Sequence, residues 1–208
     1  MKKYTIILLF LVLKCNAAFA EVSGFEATPI TMIEFDNILK EAKPYTQPVL
    51  NEIKNFDKVL ELFPKRLIIS EDELEIRDGN NKYLTSINLM YSGFIAYYPD
   101  DNVLYFEGGH NTDVVISIDS GAEIYETPKN RIYSPNGDYR VSSFYNGQEP
   151  SSFIQIKTDS SWKELTNQED NSDPYLFFMV RDFHWITDNK FIFINYNGTF
   201  FSGSIVHK

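Results

Sequence analysis

The chain has 208 residues, with 29 acidic and 19 basic side chains, a single cysteine and a formal net charge of −10 at pH 7. This acidity opposes binding to nucleic acid and to anionic lipid, because both carry negative charge. It favours a basic protein as partner. The length is sufficient for one domain with a sizeable hydrophobic core.

The N-terminus has the pattern of a cleaved secretory signal peptide. Lys2 and Lys3 precede an apolar run over residues 5–13, which is too short to span a bilayer. Small residues at Ala18 and Ala20 then fit a signal peptidase site. We therefore expect cleavage after Ala20 and a mature protein in a periplasm or outside the cell, with no stable membrane insertion.

Removal of residues 1–20 changes the charge and the cysteine content of the protein. It leaves 16 basic and 29 acidic side chains, a formal charge of −13. The single cysteine, Cys15, leaves with the leader, so the mature chain is expected to fold without a disulfide. A lipid anchor on Cys15 is the alternative, but Lys14 stands where a small residue would be needed.

Residues 21–65 are predicted to form an N-terminal helical segment. Thr31 and Glu34 have the spacing of a capping box, and apolar residues follow at helical spacing until Pro44. Thr46 is predicted to cap a second helix. Its apolar stripe is Val49, Ile53, Phe56, Val59, Leu60 and Phe63, with Pro64 as the stop.

From Arg66 onwards the hydrophobic period changes from about 3.6 to 2, which indicates β-strands. Residues 66–208 alternate short apolar runs with turn-forming residues. The predicted fold class is therefore α+β and mostly β, with N-terminal helices followed by an antiparallel meander. We expect both parts to belong to one domain, because no linker or low-complexity segment separates them.

One turn pattern recurs along the β region. Residues 133–139 read Tyr-Ser-Pro-Asn-Gly-Asp-Tyr, and residues 97–103 and 185–191 repeat the order of aromatic, turn formers and apolar strand start. A fourth, degenerate copy begins at Ile68. Each copy is expected to end one strand with its aromatic on the core, reverse the chain and start the next strand in register.

Residues 133–139 resemble the aromatic-Ser-Pro-Asp-Gly-Lys-aromatic turns of bacterial β-propeller repeats. The resemblance covers short turns only, so it implies blade-like hairpins and a scaffold for recognition, and it transfers no functional residue. The chain is short for a closed propeller, and a plain antiparallel meander is favoured. A partial propeller, a sandwich and a barrel-like arrangement all remain open.

Residues that could carry chemistry are sparse. His184 and Asp182 would share one face of a strand, so they are the candidates for a catalytic pair, but no nucleophile motif accompanies them. His110 and Asp113 are too few for a metal site. The loop around Glu169 and Asp170 resembles a calcium loop but lacks its glycine and closing glutamate. We predict neither a metal nor a cofactor.

The pattern favours a binding protein over an enzyme. The first hypothesis is an exported acidic binding protein, such as an inhibitor or immunity protein for a basic hydrolase or toxin. An envelope-assembly accessory protein and an unrecognised hydrolase that uses His184 and Asp182 are the alternatives. Acidic loops would steer the partner and aromatics would anchor it. The predicted binding residues are Asp100, Asp101, Glu169, Asp170, Tyr133 and Trp185.

The first testable prediction concerns export. Because residues 18–20 fit the peptidase site, the protein recovered from a periplasmic fraction should begin at Glu21. Intact-mass measurement checks this. A chain that begins at Cys15 and carries lipid would contradict it.

Overall fold

The computed structural model describes residues 22–42, 44–159, 161–167, 176–177 and 179–207. The predicted leader and the loop residues Glu169 and Asp170 lie outside this part of the chain. Within it the fold is α+β and mostly antiparallel β, as predicted. No helix among these residues has the length and apolar character needed to cross a membrane.

The two α-helices are short, and the strands account for most of the regular structure. The helices are α1 (Met32–Glu41) and α2 (Phe56–Leu62). The strands are β1 (Val22–Ile30), β2 (Leu67–Ser70), β3 (Glu73–Arg77), β4 (Tyr83–Asn88), β5 (Gly93–Tyr98), β6 (Val103–Glu107), β7 (Asp113–Ser117), β8 (Ile132–Tyr133), β9 (Tyr139–Tyr145), β10 (Pro150–Lys157), β11 (Trp162–Glu164), β12 (Arg181–Trp185), β13 (Lys190–Ile194) and β14 (Phe200–His207).

The strands form four antiparallel sheets, which we number in chain order. Sheet I is β2-β3-β4, sheet II is β5-β6-β7, and sheet III is β8-β9-β10-β11. Each of these three is a meander of consecutive strands. Sheet IV has the order β12-β13-β14-β1, so the first strand of the described chain completes the last sheet.

The sheets pack face to face in chain order. In sheet II, Tyr97 and Leu104 belong to the apolar cluster shared with sheet I and α2. Their strand neighbours Tyr98 and Tyr105 belong to the cluster on the opposite face, which includes Phe144 of sheet III. A third cluster joins sheet III to sheet IV. Sheets II and III are therefore covered on both faces, and in sheet II the strands β5 and β6 are accordingly almost continuous apolar runs.

Helix α1 forms where the capping pattern predicts it. The Thr31 hydroxyl accepts from the Glu34 backbone N–H at 3.2 Å, and the Glu34 carboxylate accepts from the Thr31 N–H at 2.8 Å. This reciprocal pair satisfies backbone donors that the first helical turn leaves free. The helix buries Phe35, whose ring lies 5.2 Å from that of Phe200 on sheet IV.

The prediction of a second helix starting at Thr46 is wrong for its first half. Helix α2 begins only at Phe56, where the Asn55 side chain caps it. The preceding residues run as extended chain because Ile53 pairs with β5. Its N–H donates to the Tyr97 carbonyl, and its carbonyl accepts from the Tyr97 N–H, both at 2.9 Å. This tertiary pairing outweighs the local helical spacing of the apolar residues.

The assignment of residues 21–65 to helix is also wrong at its start, where the chain forms β1. This strand pairs with β14 along most of its length, from Val22 opposite His207 to Ile30 opposite Phe200. Its residues Phe25 and Ala27 enter the core between sheets III and IV. The pairing gives β14 a second neighbour, so only β1 and β12 are left as the edges of sheet IV.

A covering segment, residues 44–53, crosses the first strands of three sheets. The Gln47 side chain pairs with the backbone of Tyr133 on β8, accepting its N–H at 2.9 Å and donating to its carbonyl at 3.2 Å. Ile53 pairs with Tyr97 on β5 as described. Pro44 and Tyr45 line a groove together with Trp185 on β12. The segment thus meets the aromatic position of three repeated turns in succession.

The structure confirms a chain reversal at each predicted copy of the turn. Ile68, Tyr97 and Tyr133 each pair with the residue seven positions later in the following strand. Trp185 pairs with Phe191, six positions later, so its turn is one residue tighter. Three of the four copies therefore share one hairpin register, and the Trp185 copy departs from it by one residue.

The close packing of β1, β14 and β13 around Gly203 in sheet IV leads to a stability prediction. A Cβ added at Gly203 would lie 2.4 Å from the Phe191 ring and 2.7 Å from the backbone carbonyl oxygen of Glu26. Because a backbone atom cannot move aside cheaply, Gly203→Ala should lower the free energy of unfolding by about 1–3 kcal/mol. Urea unfolding measures the change.

Gly79→Ala is the matched control for this variant, because an added Cβ there meets nothing within 4 Å. We expect its unfolding free energy to stay within about 0.5 kcal/mol of wild type. Equal stability of the two variants would mean that β1 and Phe191 do not approach Gly203 as closely as described.

Candidate functional site

The most highly organised polar group in the described chain is an ionic cluster between sheets II and III. Arg140 lies on β9 and faces sheet II, the same direction as Phe144. Arg131 precedes β8, and Glu126 lies in the connection that leads there. Arg140 is 3% exposed and Glu126 7% exposed, so both charges are almost fully removed from water. Buried charges of this kind need partners.

Glu126 is the centre of the ionic cluster. Its two carboxylate oxygens lie 2.6 and 2.8 Å from Nη2 of Arg140, and it also accepts from Nε of Arg131 and from Nε2 of Gln155. Nε of Arg140 donates to the Gln155 side-chain oxygen at 2.5 Å. Nη1 of Arg131 donates to the Asp101 carboxylate at 2.7 Å. The five side chains form one connected network.

Two aromatic side chains border the ionic cluster. The Arg140 guanidinium carbon lies 4.1 Å from the centre of the Trp162 ring, a cation–π contact. The Tyr133 ring meets Trp162 edge to face, with 5.8 Å between the ring centres. Trp162, the cluster and neighbouring apolar side chains line a small open cavity of about 230 Å³.

The two arginines respond differently to the shared carboxylate. Burial, and then the positive charge of Arg131, lower the pKa of Arg140, and Glu126 offsets only part of this. Burial also acts to lower the pKa of Arg131, but the Asp101 hydrogen bond and the charges of Glu126 and Asp101 outweigh it and raise the pKa. Both side chains remain protonated at physiological pH.

The ionic cluster is suited to holding sheets together and unsuited to proton transfer. Its two guanidinium groups are balanced by the carboxylates of Glu126 and Asp101, so the cluster carries no net formal charge. Arginine does not exchange its proton in the pH range of catalysis. The cluster links a turn of sheet II, through Asp101, to the interior strands of sheet III, through Arg140 and Gln155.

The predicted pair His184 and Asp182 is hydrogen-bonded, with 2.8 Å between Nε2 and Oδ1. A bulge in β12 and a left-handed backbone at Asp182 (φ 49°) create this geometry. The side chains are 36% and 54% exposed. His184, but not Asp182, lines a groove of about 300 Å³, and among the described lining residues only Tyr45 has a hydroxyl. Burial raises the pKa of Tyr45, which opposes its use as a nucleophile.

The predicted binding residues occupy different environments. Asp100 is exposed and accepts a hydrogen bond from Asn51 at 3.4 Å. Asp101 is also exposed, but it is engaged with Arg131. Tyr133 is half-buried against Trp162. Glu169 and Asp170 lie outside the described residues.

Trp185 lies in the core and is only 1% exposed. Its indole N–H donates to the Ile132 carbonyl at 2.9 Å, and its ring packs against Phe183 and Phe191. In this position Trp185 joins sheet IV to sheet III and cannot contact a partner directly. Its place at a strand end with the ring on the core agrees with the repeated turn, whereas its burial opposes the predicted role as a binding residue.

The second histidine–aspartate pair does not converge on a site. Asp113 is buried and accepts hydrogen bonds from the Tyr105 hydroxyl at 2.8 Å and the Tyr145 N–H at 3.0 Å. His110 lies in a turn with left-handed backbone (φ 59°). Within the described ranges, no group of three or more histidine, cysteine, aspartate or glutamate side chains is arranged to hold a metal ion.

Comparison of the chain with protein-family models, with curated proteins and with solved structures gives no significant match. Roles for individual residues must therefore come from their geometry and chemistry.

The ionic cluster generates a second stability prediction. Glu126→Gln leaves the buried Arg140 without a carboxylate partner while Arg131 keeps Asp101, so it should cost about 3 kcal/mol of unfolding free energy. Asp101→Asn is the control, because the Asp101 side chain is 30% exposed and its loss should cost less than about 1 kcal/mol. Urea unfolding of both variants provides the comparison. Equal, small losses would show that Glu126 is not the centre of the cluster.

Proposed function

We propose that this protein is an exported acidic recognition protein that binds a basic protein partner in a periplasm or outside the cell, such as a basic hydrolase or toxin that it inhibits. One observation carries the proposal: each of the four repeated turns presents at least one exposed carboxylate. These turn carboxylates are Glu71, Asp72, Asp100, Asp101, Asp138 and Asp188. The repeated turns therefore also carry exposed negative charge.

The stacked sheets support a scaffold function for the fold. We propose that they act as blades of an open, partial propeller, because each sheet packs its face on the next in chain order. Sheet I has three strands, so the chain enters the sheet at one end of its strands and leaves at the other end. Sheet II starts near that second end, after the short connection 89–92. The repeated turns of sheets I and II therefore point in opposite directions, which distributes their carboxylates over two ends of the stack.

Acidic turns would act mainly on the rate of encounter with the partner. Opposite charge steers a diffusing partner over distances of about the Debye length, 8–10 Å at physiological salt. Each exposed carboxylate contributes less than about 1 kcal/mol, so the effect depends on several acting together. Asp101 is partly neutralised by Arg131, and Asp100, Asp138 and Asp188 are therefore better positions for substitution.

Two other functions remain as alternatives. An envelope-assembly accessory protein would use the same acidic surface, with a structural partner in place of a toxin. A hydrolase is favoured only by the hydrogen bond between His184 and Asp182 beside a groove. Loss of activity on a basic polymeric or ester substrate in His184→Ala would support the hydrolase.

The test of the proposed function begins with affinity capture from periplasmic extract on the mature chain, with mass spectrometry of the bound proteins. A basic captured protein is then used for kinetics. Combined reversal of Asp100, Asp138 and Asp188 to lysine should slow its association at low salt, and the difference should shrink at high salt.

Asp159→Lys is the control in these kinetics, because Asp159 is exposed but lies in the connection between β10 and β11, outside the repeated turns. An association rate that is indifferent to salt and to the triple reversal would rule out recognition through the turn carboxylates.

A further inference from the structure

The free edge of sheet I has features of a binding site for an extended chain. In the described residues β4 is paired with β3 on one side and with no strand on the other. The two edge strands of the neighbouring sheet II are covered: β5 by Ile53, and β7 by the residues around Ile124, whose N–H donates to the Val115 carbonyl at 2.7 Å. An uncovered edge presents backbone donors and acceptors to any extended segment that approaches it.

The hydrogen-bond pattern identifies which backbone groups are free. The Leu89 N–H donates to the Asp72 carbonyl at 2.7 Å, in line with the β3–β4 register. Bonded pairs alternate along an antiparallel ladder, so Ile87 and Thr85 also direct their backbone groups towards β3. Ser86 therefore points its N–H and C=O outward, and Asn88 points its N–H outward, at the spacing that an added strand would need. The Asn88 carbonyl already accepts from the Tyr91 N–H at 3.4 Å.

A groove of about 460 Å³ runs along this edge, and we call it the β4 groove. Its volume lies in the range of sites that hold several groups of a ligand. Ile87, Val114 and Ile116 supply an apolar floor, and Ser86 and Ser92 supply polar rims. These three side chains belong to or pack against the core cluster between sheets I and II, so core packing holds them in place.

Exposed apolar side chains lie just before and just after the free edge. Tyr83, at the start of β4, is 54% exposed, and Met90 and Tyr91, just after its end, are 67% and 71% exposed. Side chains of this size normally gain by being covered, and aromatic residues and methionine are enriched where proteins meet. They flank β4 at both ends, so a segment paired along the whole strand would reach all three side chains.

The groove wall and the Asn88 end of β4 carry acidic side chains, whereas Arg77 and Lys82 lie at the Tyr83 end of the strand. Glu123 lines the groove itself. Glu73 pairs with Asn88, the last residue of the free edge, and Asp72 follows opposite Leu89. Glu107 lies opposite Gly93 at the start of the next strand. A segment bound here would therefore be favoured if its side chains were basic.

We propose that the β4 groove binds an extended, basic segment of the protein partner as an additional antiparallel or parallel strand of sheet I. Backbone bonds to Ser86 and Asn88 supply the affinity, and alternate side chains meet the apolar floor and the acidic rim. This inference rests on the proposed function, since it specifies how a basic partner is held.

A second copy of the chain is the competing occupant of the edge. Two β4 strands placed side by side would bring together Glu73 and Glu123 of both copies, and like charges at a pairing edge oppose association. The acidic rim therefore favours a basic segment over self-association.

The probe is an acetylated, amidated peptide of alternating lysine and valine, about nine residues long, which spans β4 as an extended strand. Fluorescence anisotropy measures its binding to the mature chain. Two control peptides are matched to it: one replaces lysine by glutamate, and the other carries N-methyl groups on alternate backbone nitrogens. N-methylation keeps the charge but removes one edge of hydrogen-bond donors.

The matched protein variants are Ser86→Pro and Ser86→Ala. Proline removes an N–H that points outward, so the bonds between β3 and β4 are retained, as edge positions permit. Both variants lose the hydroxyl that accepts from Tyr83 at 3.3 Å, so they differ mainly in the backbone donor. We expect Ser86→Pro to bind the lysine peptide about tenfold or more weakly than Ser86→Ala, because only the proline variant lacks the backbone donor.

The peptide controls keep the proposal testable even if Ser86→Pro does not fold. On the wild-type chain, the N-methylated and glutamate peptides should each bind about tenfold or more weakly than the lysine peptide. No saturable binding of the lysine peptide up to about 1 mM overturns the inference. Equal binding of the lysine peptide and its N-methylated form also overturns the inference, because it shows attraction that does not use backbone hydrogen bonds. The proposed function would still stand if the triple reversal of Asp100, Asp138 and Asp188 slowed association in a salt-dependent way. Tight self-association that Ser86→Pro abolishes would assign the edge to a second copy.

Discussion

The fold depends on covering the open edges of small β-sheets. Sheets of three or four strands leave unpaired backbone groups at their first and last strands, and such groups are costly when they are removed from water without partners. The covering segment satisfies Tyr97 and Tyr133 on the first strands of sheets II and III, and β1 pairs with β14 in sheet IV. The N-terminal part of the described chain, β1 and the covering segment, therefore makes backbone hydrogen bonds to sheets II, III and IV and connects them.

Features that depend on residues close in sequence were predicted correctly, and features that depend on distant residues were not. The capping box at Thr31 and Glu34 and the reversals of the repeated turns involve residues close in sequence, and both were predicted. The helix expected from Thr46 was not found over its first half, because Ile53 is held by a strand that lies far along the chain. Periodicity shows which residues are apolar, but it does not show whether a distant edge competes for their backbone.

The candidate sites show the same division. His184 and Asp182 were expected to meet because they are two residues apart on a strand, although a bulge provides the contact. The ionic cluster was missed, since Asp101, Glu126 and Arg140 come from separate elements. A signal was present in β9, where Arg140 stands among alternating residues that are otherwise suited to burial. A charged residue at such a position indicates a buried partner, but not which one.

The pairing of β1 with β14 has a consequence for the time at which the protein can fold. The Ser23 hydroxyl bonds to the Val206 carbonyl, 183 positions away in sequence. Contacts between such distant residues form slowly, since a long loop must close before they contribute. A ribosome delivers β1 long before β14, so sheet IV cannot be completed until β14 has been made. On the proposed export route, the same order would delay the completion of sheet IV until β14 has crossed the membrane.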